Sequence, residues 1–259
     1  MHIFCHANGF PSGCYQQFFD HAKKSDITFT PIELSPLKFP FDSTQKKRSW
    51  HDFSLDLLDD LKKLTPAEKF IGVGHSMGAV LLLELAVKYP HLFKRLILLD
   101  PTVLPRKFVY ASNYLPKFIN RKIHPVASKA YARRDRWESK EEAFDIFRKK
   151  RLFKHFSDSA LWDYVNHGLI KENDHDSYTL RFSKAWEEHC FLSVISTWEL
   201  FKNIKVPTHI IAGKKSDLLN PKIIKRIKTN YPHIDVTQTH GGHLFPFEFP
   251  EAVDLSNII

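Results

Sequence analysis

Apolar positions along this chain follow two alternating rhythms. Ile3 to His6, Thr28 to Leu34, Lys69 to Ile71, Leu96 to Leu99, Val206 to Gly213 and Asp235 to Thr239 are short apolar or β-branched runs that read as buried strands. Between them the period lengthens. Gln16 to Lys24 can turn Phe18, Phe19 and Ala22 inward, and Trp50, Phe53, Leu57, Leu58, Leu61 and Leu64 recur at three- and four-residue spacing. Ser49-Trp50-His51-Asp52 gives that second helix a capping-box-like start, and Thr65-Pro66 is expected to stop it. Ala79 to Ala86 reads as a nearly all-apolar helix, and Pro221 to Tyr231 supplies another. Pro246 to Glu251 is expected to introduce a terminal helix. Repeated strand–helix alternation predicts an α/β protein with a mostly parallel sheet of about six strands, covered on both faces.

The rhythm changes from Pro101 to about Trp198. This stretch is rich in aromatic and basic residues, with no clear strand. Helices are expected after the capping box Ser139-Lys140-Glu141-Glu142 and from Ser159 to Asn166, closed by Gly168. The pattern therefore divides the chain into a core, 1–100 with 199–259, and an all-helical insertion over 101–198.

The stretch with the most chemistry is Gly72-Val73-Gly74-His75-Ser76-Met77-Gly78. A strand enters it and a helix leaves at once, so Ser76 must occupy a very sharp turn, with Gly74 and Gly78 making room for two close backbones. Such a turn exposes a hydroxyl above a helix N-terminus, where N–H groups favour negative charge. A plain serine N-cap between two glycines is the competing reading.

Gly-x-Ser-x-Gly in this strand–turn–helix setting resembles the nucleophile elbow of the α/β-hydrolase superfamily, and the chain is similar to serine esterase and lipase-like members with a helical cap. The resemblance implies a Ser–acid–His triad in that chain order. Asp217, in the loop Lys214-Lys215-Ser216-Asp217 after a strand, is the implied acid. His243 in His240-Gly241-Gly242-His243 is the implied base, with Asp100 and His240 as the respective alternatives. Phe10, in the loop His6 to Gly13, and Met77 are the implied backbone oxyanion donors. Members usually carry a hairpin before the first strand seen here, so a shortened sheet is expected. Phe108, Tyr110, Trp137, Trp162, Phe191 and Trp198 are candidate walls of an apolar acyl pocket beneath the cap, against the alternative of a small helical core.

Composition narrows this picture. The net charge is +9, with basic clusters at Lys46–Arg48, Arg133–Arg136, Arg148–Arg151 and Lys222–Lys228. Solvated helix faces account for them; an anionic substrate or an acidic carrier protein is the sharper alternative, and nucleic acid is disfavoured for want of a recognised motif. Three cysteines without a C-x-x-C pair suggest reduced thiols. The 15 histidines include no H-E-x-x-H, so no metal or cofactor is expected. The first residues lack the marks of a signal peptide and no apolar run could span a bilayer, so a cytoplasmic protein with no membrane span is expected.

The function expected is hydrolysis of carboxylic esters of small to medium acyl chains, a small-molecule substrate class. The alternatives are an esterase for carrier-protein-linked acyl groups, a C–C bond hydrolase or cofactor-free perhydrolase of the same fold, and a non-catalytic ligand receptor. An epoxide hydrolase or dehalogenase is disfavoured, because those relatives carry Asp where this chain has Ser76.

Overall fold

The computed structural model of the protein describes residues 1–259 except 43–47, 65–67, 116–118, 121–123, 174–175, 257 and 259. The Lys46-Lys47 cluster and the Thr65-Pro66 stop lie outside the described residues.

Six strands, β1 (His2–Cys5), β2 (Phe29–Ile32), β3 (Phe70–His75), β4 (Phe93–Leu99), and, after the insertion, β8 (Thr208–Gly213) and β9 (Ile234–Thr239), form one sheet. Their order is β2-β1-β3-β4-β8-β9, and every neighbouring pair is parallel. The two-residue period of a strand sorts the side chains between two cores. Ile3, Cys5, Leu96 and Leu98 enter one; Phe4, Ile97 and Leu99 enter the other. The first core is covered by α2 (Trp50–Lys63) and α3 (Met77–Lys88), and the second includes Phe18 and Ala22 of α1 (Gln16–Lys23). Ten consecutive residues of α3, Met77 to Ala86, are buried, which is why that helix shows no polar face in sequence. Asp52 closes the Ser49 capping box with a 2.6 Å bond from the Ser49 N–H. The expected terminal helix reduces to one turn at Phe245–Glu248 and a 3-10 turn at Pro250–Ala252.

Between β4 and β8 lie α4 (Arg106–Tyr114), α5 (Pro125–Ala132), α6 (Lys140–Arg148), α7 (Asp158–Gly168), α8 (Lys184–Leu192) and α9 (Thr197–Asn203). Contrary to the expectation of an all-helical insertion, the stretch also contains strands. β5 (Arg136–Trp137), β6 (Leu169–Lys171) and β7 (Tyr178–Leu180) make an antiparallel sheet in the order β5-β7-β6. Strands of two or three residues are too short for a period-two pattern to register, so they pass for loop in sequence. Helix α7 is capped by Ser157 and runs through Gly168 directly into β6. Among the described residues no helix is long and apolar enough to cross a membrane.

Candidate active site

Strand β3 ends at His75, α3 begins at Met77, and Ser76 alone makes the turn, with φ 53° and ψ −111°. A non-glycine residue rarely adopts a positive φ, and holding one there costs about 1–3 kcal/mol, which the surroundings must offset. They do so from both sides. The Ser76 N–H bonds Leu99 O in β4 at 3.0 Å, and the neighbouring glycines let the backbones close in. A Cβ on Gly74 would stand 2.7 Å from the Ala79 nitrogen, and one on Gly78 would stand 2.3 Å from the Cys5 carbonyl oxygen.

The Ser76 hydroxyl meets His243, whose Nε2 lies 3.1 Å from Oγ. The other imidazole nitrogen, Nδ1, lies 2.7 Å from Asp100 Oδ2. Because a carboxylate only accepts, the neutral ring carries its proton on Nδ1 and leaves Nε2 free to accept from Ser76. Asp100 closes β4 at φ 41° and is fully buried. Its Oδ1 accepts the Gly213 N–H at 3.0 Å and its Oδ2 the Ser216 hydroxyl at 2.5 Å, in addition to the imidazole. These donors fix the carboxylate plane and offset the cost of burying it.

The expected acid, Asp217, is not brought to this line. It is exposed, and Asp100 holds the position facing the imidazole. The loop Lys214-Lys215-Ser216-Asp217 does reach the site, but through Ser216. That hydroxyl also accepts the N–H groups of Leu218 and Leu219, a turn that aims Ser216 inward and leaves Asp217 in solvent. The physical reason for the exchange is strand order. β4 lies beside β3, so the residue ending β4 stands one strand from the elbow, whereas β8 is one strand further away. His240 is likewise apart from the site, exposed with its ring 4.3 Å from that of Phe249.

Two residues that sequence reasoning passed over complete the surroundings. Thr102 Oγ1 lies 3.2 Å from Ser76 Oγ, and its own carbonyl accepts the Thr197 hydroxyl at 2.6 Å. Tyr15 joins the loop after β1 to the elbow: its OH accepts from Ala7 N–H at 3.0 Å and lies 2.7 Å from His75 Nδ1. His75 Nε2 in turn bonds the His243 carbonyl oxygen at 2.9 Å. A carbonyl can only accept, so His75 carries its proton on Nε2 and accepts the Tyr15 O–H at Nδ1. Burial pushes the His75 pKa well below its usual value, with the nearby His243 acting in the same direction, so this ring is a neutral strut. His6 is also neutral, pushed down to about 4 by burial. Its Nδ1 donates to Ala7 O, while Nε2 accepts Leu34 N–H.

Both expected oxyanion donors are buried. Met77 opens α3, where first-turn N–H groups have no intrahelical acceptor. The Phe10 N–H already gives a long 3.3 Å bond to Ala7 O, in the turn where Gly9 adopts φ 76°.

The six candidate pocket residues are not brought together into one wall; among the described residues only Phe108 and Phe191 share a ring neighbour. Trp198 packs in the core on one side of the sheet, with its Nε1–H on Leu104 O; Trp137 belongs to the core on the other side. Tyr110 is 67% exposed, and Trp162 stacks on Phe144. Phe108 and Phe191 both face the ring of His124. The apolar residues of the insertion are spent mostly on its own packing. An open cleft of about 540 Å³ does exist, but it lies by Arg95, Val206 and Thr208 near the start of β4 and β8, the sheet edge opposite Ser76.

The model of the alpha/beta hydrolase family matches residues 3–254. The chain belongs to that family. A probable alcohol acetyltransferase of Wickerhamomyces anomalus is 22% identical over 214 residues, 72% of this chain and 58% of the relative, so the chain spans little more than half of that protein. Among solved structures, E-2-(acetamidomethylene)succinate hydrolase superposes with a TM-score of 0.75 at 16% identity, over 97% of this chain and 87% of the other. An esterase of Mycobacterium tuberculosis gives 0.71 at 17% identity, over 99% and 81%. At such identities the structural likeness speaks to the fold alone.

Proposed function

We propose that this member of the alpha/beta hydrolase family is a serine hydrolase of carboxylic esters that works through an acyl-enzyme. The observation that carries the reading is the unbroken line from Ser76 Oγ through His243 to Asp100 Oδ2, with bonds of 3.1 and 2.7 Å. An alcohol is a poor nucleophile at neutral pH and needs an adjacent base held in the right tautomer. His243 takes the Ser76 proton at Nε2 as Oγ adds to the substrate carbonyl. Asp100 stabilises the imidazolium, and Nε2–H then protonates the departing alkoxide. Water, deprotonated by the same nitrogen, attacks the acyl-enzyme, releases the acid and restores Ser76. The Met77 N–H is the stronger oxyanion donor, since the Phe10 N–H is shared with Ala7 O; each good donor is worth about 3 kcal/mol.

A fluorophosphonate probe tests this directly. Ser76 is expected to take up one label per chain, located by peptide mass, with loss of p-nitrophenyl ester turnover in parallel. A protein that stays unlabelled while folded overturns the hydrolase reading in favour of a non-catalytic receptor.

The alcohol acetyltransferase relative favours a second outcome for the same intermediate, in which an alcohol replaces water as acceptor and leaves as the ester. Running the ester assay in ethanol separates the two. Ethyl ester formed in proportion to ethanol, at the expense of acid, supports acyl transfer; acid as sole product rejects it.

A further inference from the structure

One stretch of the chain carries positive charge with no acid in it to offset it. From Pro101 to Arg134 the sequence carries eight Lys and Arg and no Asp or Glu; the rest of the chain holds 30 basic against 29 acidic residues. This acid-free stretch begins directly after Asp100.

The same stretch exposes apolar rings. Among the described residues ten large hydrophobic side chains are exposed, and half of them fall here: Tyr110 at 67%, Tyr114 at 73%, Leu115 at 36%, Val126 at 49% and Tyr131 at 51%. The helices explain this distribution. α4 buries Val109 and Ser112, α5 buries Ala127 and Ala130, and both pack against α8. Their opposite faces are left to solvent. On α4 the Tyr110 and Tyr114 rings lie one turn apart, with centroids 4.5 Å from each other, beside exposed Lys107. On α5, Val126 and Lys129 share the outer face at a three-residue spacing.

Several basic side chains elsewhere in the insertion are paired with acids: Arg134 with Glu142, Arg136 with Glu172, Arg148 with Asp158 and Lys184 with Asp135. Arg133 is held by Glu187, and Arg106 meets Glu199 of α9 in an exposed pair. Among the described residues Lys107 and Lys129 have no ion-pair partner. Unpaired cations interleaved with exposed tyrosines are the combination that sits at a lipid–water boundary. Rings rest at headgroup depth there, while ammonium groups meet anionic headgroups.

We propose that the outer face of α4 and α5 docks this protein onto an anionic lipid surface. Charge argues against a second copy as occupant, since two acid-free faces repel. The exposed rings favour lipid over an acidic polypeptide, because a purely electrostatic partner would leave Tyr110, Tyr114 and Val126 without an apolar environment. Docking is independent of the chemistry at Ser76.

The test is co-sedimentation of the full chain with vesicles of phosphatidylcholine, alone or with about one-third phosphatidylserine. Binding is expected to be at least about tenfold stronger on the anionic vesicles, and to fall toward the neutral level near ~1 M salt, where screening is nearly complete. Lys107→Glu with Lys129→Glu should weaken it by about twentyfold or more. Tyr110→Ser with Tyr114→Ser should weaken it severalfold, with circular dichroism of both variants unchanged. Ser76→Ala should bind as the parent does, so failure of the hydrolase reading would not be mistaken for failure of this one. Equal binding to both vesicle types, no binding to either, either double variant binding unchanged, or tighter binding to soluble poly-glutamate than to the anionic vesicles overturns the proposal.

Discussion

Replacing Asp100 with Asn is expected to lower kcat on a p-nitrophenyl ester by about 10³–10⁴-fold, with KM changed by no more than about threefold. The size of the effect follows from the donors around the carboxylate. Asp100 Oδ2 accepts from both the imidazole and the Ser216 hydroxyl, and Oδ1 accepts the Gly213 N–H. An amide has one accepting oxygen. If that oxygen turns to Gly213, the amide NH₂ faces His243 and draws the ring into the tautomer with its proton on Nε2. That nitrogen can then no longer accept the Ser76 proton. If the amide turns the other way, its NH₂ meets the Gly213 N–H, and a buried donor pair is left unsatisfied. In either orientation the imidazolium formed during attack loses its counter-charge. Asp217→Asn, in an exposed loop, should stay within about twofold of the parent. Steady-state kinetics of the two variants side by side decide the matter, and the opposite ranking would return the role to Asp217.

That prediction reverses the sequence-level expectation, and the reason is physical. Both aspartates follow a strand, and nothing in composition or spacing says which lies nearer Ser76. The deciding information is spatial: β3 and β4 are neighbours, and the Ser216 hydroxyl takes up the inward direction that Asp217 would have needed. The elbow was legible because its causes are local. Two glycines flank one serine, an apolar strand precedes it and an apolar helix follows, and all of this lies within a few residues. The six-stranded parallel sheet was legible for the same reason. The Tyr15–His75–His243 struts were not, since they join residues separated by 60 and 168 positions through single hydrogen bonds. The short strands β5 to β7 fell below any periodic signal. The aromatic residues of the insertion were over-read as pocket walls. Burying a Trp or Phe is the ordinary way for a segment of this size to stabilise itself, and Trp137 with Phe147, Phe153 and Tyr164 does so.

Gly78→Ala should be the most destabilising single-methyl change in the elbow. Helix propensity alone favours Ala over Gly by about 1 kcal/mol, so an exposed helix position would gain from the exchange. Here the added carbon would stand 2.3 Å from the Cys5 oxygen, 2.5 Å from the Cys5 carbonyl carbon and 2.6 Å from the His6 oxygen. All three atoms are backbone, at the end of β1, so no side chain can rotate away. Relief requires α3 to move off the sheet. Yet α3 is buried along ten residues, and β1 is paired on both sides, with β2 and β3. Interiors packed this tightly resist such shifts, and overpacking of a side chain commonly costs 1–3 kcal/mol; a backbone clash should exceed about 3 kcal/mol. Thermal and urea unfolding of Gly78→Ala would measure it. Any α3 displacement would also carry Met77 N–H and Ser76 away from His243, so the residual folded fraction should label poorly with fluorophosphonate. A variant as stable and as reactive as the parent would mean that the helix and β1 do not approach this closely, and the steric account of the Gly-x-Ser-x-Gly turn would fall with it.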